Sequence, residues 1–526
     1  MEHLLNELLK YYHLSKDEFS KMSIPVEEIQ LIEPTSIKGM NRVKSRIFES
    51  IKNNEKIIIY GDYDCDGISA TSIMYRTFQI LNYHVSYYIP SRYLDGYGLN
   101  VQNVEKIALA GYKLIICVDN GISQHEAIHK AKELGMDVIV IDHHEVPNEP
   151  TEAYEIIHPS VSEISEIYGS GGYMALFVSA ALLGSYDDYL VTIAGLSVIS
   201  DLMELKGPNR DLVRLAVSNF EKNKYLPLRL LAESPIITEK TFSMEIAPKI
   251  NAIGRMMEKN EANLLVKYFT TENDQDVYSL CDWINRINAE RKEVTRETVD
   301  NLKEDFSNQP GICVNIETKE GIIGLIANRF LNLYNVPSLV FTKDALHPEI
   351  LKGSIRSKEG FNVTKAFKSL EKYLVTGGGH SFAGGLSILA VDYEMFKNDF
   401  LKLCDQYQIE ETKHPSIDIS LSEITMTNYE LIRQFAPFGM GFEEPLFSIE
   451  NIPTKGLTFI SEGKHLSTPL TIQSKLLGFN MPKDDVQSKP MMDVEGHFNL
   501  SSFKGAKTLE FRISKYNLHH KSAPVR

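Results

Sequence analysis

The stretch that decides the fold is Ile57 to Gly67, which reads IIIYGDYDCDG. Its first four residues are apolar and mostly β-branched, which is typical of a buried strand in a parallel sheet. Three carboxylates at alternate positions follow, and Ile68 to Leu81 then has the pattern of a helix. Because open α/β sheets bind ligands at the carboxyl ends of their strands, the three acids stand where such a fold would hold a ligand.

These three acids are Asp62, Asp64 and Asp66, and they repel one another unless a cation lies among them. Hard oxygen ligands suit Mg²⁺ or Mn²⁺. The simpler alternative is an Asp-rich turn that caps the next helix, since Asp is a good N-cap residue. Two further acidic strand ends elsewhere in the chain favour the metal site.

The first of these ends lies in IICVDNGIS and carries Asp119, and the second lies in VIVIDHHE and carries Asp142, His143 and His144. Imidazole is both a metal ligand and a proton donor near neutral pH. Three acidic strand ends of one sheet converge on one crevice, so the sequence predicts a metal centre there. Asp201, in VISDLMEL, is a further ligand or merely a helix cap.

Bulk composition sets the size and class of the protein. Its 526 residues predict three or four domains, and 43% hydrophobic with 24% charged residues is typical of a soluble globular protein. The net charge is −15, which excludes a chain that binds nucleic acid over its whole surface. Residues 455–526 nevertheless hold 11 Lys and Arg against 6 Asp and Glu, a surplus of five that hints at a polyanion-binding module.

Five cysteines without a CxxC pair argue against a disulfide framework or a zinc site and favour a reducing compartment. The opening MEHLLNELLKYY lacks the features of a signal peptide. The longest apolar run, Tyr173 to Tyr186, is too short to span a bilayer. We therefore expect a cytoplasmic protein without membrane association.

The chain alternates strand and helix patterns up to Ile141, which predicts a doubly wound parallel sheet, and a more helical part follows from Tyr173 to Lys224. A long connecting helix is predicted from Asp274 to about Phe306, followed by a second α/β unit that closes near the glycines before His380. After about residue 413 short strands with turns predict a small all-β domain such as a barrel.

The motifs DYDCDG, VDNGIS, IDHHE and SDLMEL, in this order, resemble the DHH phosphoesterase family. The later stretches NAIGRM, NRINAERK, GIIGLIANR, GSIRS, GGGHSFAGG and APFGMGFEEPLF are similar to those of its single-stranded-DNA-specific exonucleases. The likeness runs from about Ile37 to Leu518. The chain departs from the family pattern at Phe442, usually Asn, and in the glycine-rich turn at Gly169 to Tyr173.

The resemblance implies a parallel-sheet DHH domain and a smaller α/β DHHA1 domain joined by a long helix, plus an all-β OB-fold. We expect an N-terminal helical segment, a DHH catalytic domain, a connector with the long helix, a DHHA1 domain and a nucleic-acid-binding OB-fold over residues 1–36, 37–225, 226–306, 307–412 and 413–526, respectively.

The resemblance also implies roles for the acidic residues and histidines. The family's ligands for two Mn²⁺ or Mg²⁺ ions fall on Asp62, Asp64, Asp66, Asp119, His143 and Asp201. His144 lies near the scissile phosphate and is expected to be a general acid, with Asp119 bridging the ions and Asp64 also in the catalytic set.

Substrate binding is expected from two groups. Arg92, Arg255, Ser354 and Arg356 correspond to family positions around the terminal phosphate, although a lone Arg is more often a solvated surface group. The glycines of GGGHSFAGG predict a phosphate cradle at Gly378, Gly379 and His380, where a flexible loop is the alternative.

In the last domain, aromatic and basic residues are mixed as in strand-binding barrels. They are Phe503, Lys504, Lys507, Lys515 and Tyr516. Buried core aromatics explain Phe503 and Tyr516 equally well.

Together these features predict a metal-dependent 5′→3′ exonuclease that degrades single-stranded DNA to nucleoside 5′-monophosphates in recombination and repair. The expected partners of this monomer are a single strand with a 5′ end, a single-strand-binding protein and a helicase. One alternative is a DHH phosphodiesterase of oligoribonucleotides or cyclic dinucleotides, against which the OB-fold argues. Another is an inactive replication scaffold, against which the complete set of ligands argues.

Overall fold

The structure is a computed structural model that describes residues 2–164, 167–302, 305–406, 415–503 and 505–520. It contains three β-sheets, each of which belongs to a different part of the chain. Three features of the sequence analysis lie outside the described residues: Lys504, the side chain of Phe503, and the predicted domain boundary at residues 412 and 413.

The first sheet has five strands, all parallel, in the order β2-β1-β3-β4-β5. These strands are β1 (Lys56–Tyr60), β2 (Ser86–Tyr88), β3 (Tyr112–Val118), β4 (Asp137–Ile141) and β5 (Glu155–Ile157). The predicted parallel sheet is thereby confirmed. The three-residue strand β5 was not predicted, because it is too short to show a periodic pattern.

Helices cover both faces of this sheet. Those of the first part of the chain are α1 (Glu2–Tyr11), α2 (Lys16–Met22), α3 (Met40–Lys52), α4 (Cys65–Ile80), α5 (Val101–Leu109), α6 (His125–Glu133), α7 (Gly171–Leu183), α8 (Asp188–Ser200) and α9 (Gly207–Asn223). Ile57 and Ile59 pack with α3, α4 and α7, whereas Ile58 and Tyr60 face α5 and α6. Burial on both faces is why the strand sequences are continuous apolar runs.

A helical connector leads to the second sheet. Its helices are α10 (Leu226–Leu231), α11 (Ala247–Met256), α12 (Asn263–Thr270) and α13 (Asp274–Asp300). The last of these is the predicted long helix, which begins after the N-cap Asn273 and ends at Asp300 rather than near Phe306.

The second sheet is mixed, with the order β6-β7-β8-β10-β9. Its elements are β6 (Ile312–Asn315), α14 (Ile323–Tyr334), β7 (Ser338–Lys343), β8 (Ile350–Arg356), α15 (Val363–Ser369), β9 (Leu374–Gly379), β10 (Ala383–Leu389) and α16 (Tyr393–Asp405). Ile326 and Phe330 of α14 pack into the same core as the first sheet. This shared core holds the second sheet beside the first.

The third sheet has seven strands in the order β11-β12-β16-β17-β15-β14-β13. Its elements are β11 (Ile417–Asp418), α17 (Met426–Arg433), β12 (Phe447–Pro453), β13 (Phe459–Ile460), β14 (His465–Pro469), β15 (Ser474–Gly478), α18 (Lys483–Val486), β16 (Met491–Phe503) and β17 (Ala506–His519). Helix α1 buries Leu4, Leu8 and Leu9 in the core of this sheet. The N-terminal helix therefore packs on the last domain of the chain.

Among the described residues, none of the helices combines the length and apolar character needed to cross a bilayer.

Candidate metal centre and basic cavity

The strand order brings the three acidic strand ends together. Strand β1 lies between β2 and β3, so the chain reverses its direction across the sheet at β1, where open α/β sheets bind ligands. Asp62, Asp64 and Asp66 follow β1, and Asp119 follows the neighbouring β3. The convergence expected from the sequence is present.

His143 lies at the centre of this cluster. Its Nε2 is 3.2 Å from Oδ1 of Asp119 and 3.4 Å from a carboxylate oxygen of both Asp66 and Asp201. Asp119 also belongs to a group with Asp62 and Asp64, whose oxygens lie within 4.8 Å of one another. All six residues expected to bind metal thus meet, with Asp119 shared between two groups.

Three buried atoms of this cluster have no hydrogen-bond partner: Oδ1 of Asp62, Oδ1 of Asp119 and Nε2 of His143. Burial raises the pKa of Asp62 well above its ordinary value, and the charge of Asp64 raises it further. Burial likewise raises the pKa of Asp119, together with the charges of the neighbouring aspartates. Unpartnered oxygens and a nitrogen facing one another fit divalent cations, which would offset this repulsion.

Asp64 and Asp66 are held by backbone groups. Asp64 accepts a hydrogen bond of 3.0 Å from Gly67 N–H and caps α4, so the capping alternative holds for this residue alongside its place in the cluster. The carboxylate of Asp66 accepts from the N–H groups of Gly171 and Gly172, at 2.7 and 2.8 Å, and from the Ser197 hydroxyl. The turn that departs from the family pattern therefore positions Asp66, one of the predicted ligands.

Asp142 orients the second histidine. Its Oδ1 lies 2.8 Å from Nδ1 of His144, and its Oδ2 accepts from Ile122 N–H. Burial opposes ionisation of Asp142, but the hydrogen bond and charge of His144 hold its pKa at about 2. Burial by itself would lower the pKa of His144, but the hydrogen bond and charge of Asp142 outweigh burial and raise this pKa to about 9. The Asp142 carboxylate thus favours the protonated imidazole of His144.

Sequence reasoning assigned no role to Asp142 or to Tyr97. The Tyr97 hydroxyl lies 3.2 Å from Nδ1 of His144 and 3.2 Å from the carbonyl oxygen of Asp119. Asp142 had a visible signal, because it directly precedes the two histidines at a strand end. Tyr97 had none, since it lies in the loop between β2 and α5.

Apart from the acidic cluster, a cavity of about 430 Å³ lies between the connector and the second sheet. Arg92, Arg255, Ser354 and Arg356 all line it, so the structure brings these four predicted residues together. Arg255 donates to the carbonyl of Gly321 at 3.0 Å, and Arg356 donates to the Ser354 hydroxyl at 3.0 Å. We call this space the basic cavity.

None of the three arginines forms an ion pair with a described residue. Burial lowers the pKa of Arg255 to about 10, and the charges of Arg92 and Arg356 contribute. Three guanidinium groups with only neutral partners are an unusual arrangement in a partly buried place, and it suits an anion such as phosphate.

The glycines before His380 lie in β9, at the edge of the second sheet, and not in a loop. Gly378 pairs with Gly385, which pairs with Ser354, so Gly378 shares the face that lines the basic cavity. Gly379 belongs to the opposite face, and His380 is exposed. Their predicted part in substrate binding stays a prediction.

In the third domain, Lys507 and Lys515 lie on β17 and are exposed, whereas Tyr516 packs against the core. The core explanation therefore accounts for Tyr516.

Family comparisons match three segments of the chain. Residues 56–212 match the DHH family, N-terminal domain, residues 308–410 match the DHHA1 domain, and residues 416–515 match the RecJ OB domain. The precise domain boundaries given above stay predictions.

Individual relatives agree with this order of domains. The single-stranded-DNA-specific exonuclease RecJ of Bacillus subtilis is 30% identical over 94% of this chain and 65% of its own length. The Thermus thermophilus exonuclease of the same name is 26% identical over 89% of this chain and 69% of its own. The chain therefore spans slightly less than two thirds of the Bacillus relative.

Two solved structures share the fold. RecJ of Thermus thermophilus in complex with Mn²⁺ has a TM-score of 0.80 at 23% identity, covering 98% of this chain and 78% of that chain. A manganese-bound exonuclease RecJ has a TM-score of 0.60 at 27% identity, covering 71% of this chain and 96% of that chain.

Proposed function

Because the chain belongs to the DHH family and carries DHHA1 and RecJ OB domains after its DHH domain, we propose that it is a metal-dependent exonuclease. It degrades single-stranded DNA from the 5′ end and releases nucleoside 5′-monophosphates. The oxygen-rich cluster around His143 and the relatives with bound manganese support two Mn²⁺ or Mg²⁺ ions as cofactors.

The observation that carries this proposal is the position of Arg92. Its guanidinium lies 4.3 Å from the ring centroid of Tyr63, which stands between Asp62 and Asp64, and Arg92 also lines the basic cavity. Gly254, next to Arg255, packs against the carbonyl of Tyr63. The acidic cluster and the basic cavity are therefore adjacent, so a strand held by its end would place its first phosphodiester at the cluster.

The residues divide the chemistry among themselves. Asp62, Asp64, Asp66, Asp119, His143 and Asp201 would hold the two ions, which lower the pKa of a water nucleophile and neutralise charge on the phosphoryl oxygens. Burial lowers the pKa of His143, which favours the neutral imidazole that binds metal. His144 hydrogen bonds through Nδ1 to Asp142, which leaves the Nε2 proton for the departing oxygen.

The arginines set the polarity. A terminal monophosphate carries about −1.5 to −2 charges near pH 7, against one for an internal diester. Arg92, Arg255 and Arg356, with the Ser354 hydroxyl, bind this extra charge by charge-assisted hydrogen bonds. Because the end must enter the basic cavity, hydrolysis proceeds from the 5′ end inward.

The third domain binds the strand further along, through basic residues such as Lys507 on β17. The protein acts as a monomer in the cytoplasm during recombination and repair, with a single-strand-binding protein and a helicase as partners. Five buried cysteines, all free, agree with a reducing compartment.

A nuclease assay on end-labelled strands tests the proposal. Single-stranded DNA labelled at the 5′ end should release labelled mononucleotide first in Mn²⁺ or Mg²⁺, whereas duplex DNA of the same sequence should persist. Release that begins at a 3′ label, or equal loss of duplex, would contradict the proposed polarity and substrate.

A further inference from the structure

The basic cavity has two chemically different ends. Lys352, Ser354 and Arg356 alternate along β8 and face the same side of the sheet. At a strand rise of about 3.3–3.4 Å per residue, Lys352 lies roughly 13 Å along β8 from Arg356. The arginine end, with Arg92, Arg255 and Arg356, carries three positive charges that form no ion pair with a described residue.

The opposite end holds acidic groups around Lys352. Its ammonium lies 3.4 Å from a carboxylate oxygen of Glu320 and 3.1 Å from one of Asp344. Glu320 lines the cavity together with Lys352, whereas Asp344 does not line it. Two carboxylates against one ammonium leave an excess of one negative charge around this end, in contrast to the arginine end.

Hydroxyl groups complete the negative end. Ser387 of β10 pairs with both Lys352 and Thr376, so these three side chains form one row across the sheet. The next row, Ser354, Gly385 and Gly378, is nearly bare, and a Cβ added at Gly378 would meet nothing within 4 Å. No side chain of these two rows closes the cavity between its two ends.

Size does not limit what enters. A volume of about 430 Å³ falls within the range of pockets for whole small-molecule ligands, far beyond the needs of one phosphate group. A longer phosphate chain would fit sterically. Any discrimination between phosphorylated ends must therefore come from charge.

Building on the proposed function, we propose that Glu320 makes the basic cavity a charge filter that accepts a 5′-monophosphate and rejects a 5′-triphosphate. The monophosphate stays beside the arginines, whereas the outer phosphates of a triphosphate extend toward Glu320, which shares the Lys352 ammonium with Asp344. Like charges a few ångströms apart in a partly buried site repel strongly, which weakens binding of the longer end.

The test compares three 5′ ends on one DNA sequence: hydroxyl, monophosphate and triphosphate. Equilibrium binding is measured in EDTA, where no divalent cation screens the phosphates, and kcat/KM is measured in Mn²⁺. The protein should prefer the monophosphate over both other ends. Glu320→Gln should lower the ratio of monophosphate to triphosphate affinity by about tenfold. This difference between the variant and the wild type should shrink as the salt concentration rises.

Two further variants control the interpretation. Glu317→Gln removes the same charge from an exposed residue three positions earlier, outside the cavity lining, and should leave the preference unchanged. Lys352→Gln leaves both carboxylates without their ammonium partner and should increase the preference for monophosphate over triphosphate. A general folding defect would not shift this preference in opposite directions in Glu320→Gln and Lys352→Gln.

The outcomes separate the two proposals. If hydroxyl and monophosphate ends bind and react equally, the phosphate pocket of the proposed function is wrong. If the monophosphate is preferred over the hydroxyl but the triphosphate does equally well, the pocket stands and the filter is overturned. Equal shifts in Glu320→Gln and Glu317→Gln also overturn the filter, since they indicate only long-range charge.

Discussion

The acidic cluster and the basic cavity are opposite in charge but alike in one respect: each holds ionisable groups without the partners that charged groups normally have. The cluster leaves oxygens of Asp62 and Asp119 unpaired, and the cavity leaves three guanidinium groups without counter-ions among the described residues. Elsewhere in the chain, Arg433 donates two hydrogen bonds, of 2.7 and 2.8 Å, to the buried carboxylate of Glu239. Several ionisable groups of this kind clustered in one place are typical of functional sites.

The two regions are also assembled differently. The cluster comes from consecutive strand ends of one parallel sheet, with Asp201 added from the end of α8. The cavity draws on the loop after β2, on α11, on the start of α14 and on the second sheet. Substitutions in the two regions should therefore have separable effects.

The largest effect should follow from removing a ligand of the acidic cluster. We expect Asp119→Asn or His143→Ala to reduce DNA hydrolysis below detection, because Asp119 is shared between both groups of ligands. Asn is preferable to Ala at position 119, since the backbone there has φ of 60°, which Asn tolerates. Glu126→Ala on the exposed face of α6 is the matched control. Full activity in EDTA would contradict the metal centre.

Removing one arginine should have a smaller and end-specific effect. We expect Arg356→Ala to lower kcat/KM on 5′-phosphorylated strands by roughly ten- to a hundredfold, because a charge-assisted hydrogen bond contributes about 1.5–3 kcal/mol. Strands with a 5′-hydroxyl should lose much less. Arg329→Ala removes an arginine of α14 that does not line the cavity and serves as the control. Parallel losses on both substrates would refute end recognition.

Stability should reveal the repulsion in the metal-free cluster. The pKa of Asp119 is raised in the folded protein, so this carboxyl favours folding below pH 4 and loses that contribution as pH rises through its folded pKa. In EDTA at pH 7, where the ionised carboxyl would lie among other aspartates, we expect Asp119→Asn to raise the free energy of unfolding.

Urea unfolding from pH 4 to pH 8 measures this difference in the free energy of unfolding. The difference should disappear toward pH 4, where the wild-type carboxyl is protonated and therefore neutral, like the Asn amide. Mn²⁺ should reverse the order at pH 7 by stabilising the wild type. An equal gain at every pH would point to packing rather than charge.

The smallest effect should come from the third domain. We expect Lys507→Ala to weaken strand binding a few-fold and to reduce the salt slope by about 0.7, the value for one phosphate contact on a single strand. Lys52→Ala, an exposed lysine of α3, is the control. A point variant is preferable to deletion of the domain, because deletion would expose the buried face of α1. An unchanged salt slope would remove Lys507 from the binding surface.

The first sheet and its acidic edge follow from the amino-acid sequence alone. At β1, β3 and β4, a short β-branched run is followed at once by Asp. The apolar run predicts a buried strand, and the Asp after it predicts a metal ligand. Since parallel strands bring their carboxyl ends to one edge, local patterns sufficed to predict that Asp62, Asp119 and His143 meet. The glycine run of β9 gave no such signal, because glycine is depleted in strands and reads as a loop.

Which distant groups complete each site depends on how the chain folds in three dimensions. The N–H groups that hold Asp66 belong to Gly171 and Gly172, more than 100 residues away. Helix α1 packs on the last domain, and Glu320 lines the cavity beside Lys352. Periodicity shows that a face is buried or a charge is present, but not which element covers it, because contacts between distant segments depend on how all the cores pack together.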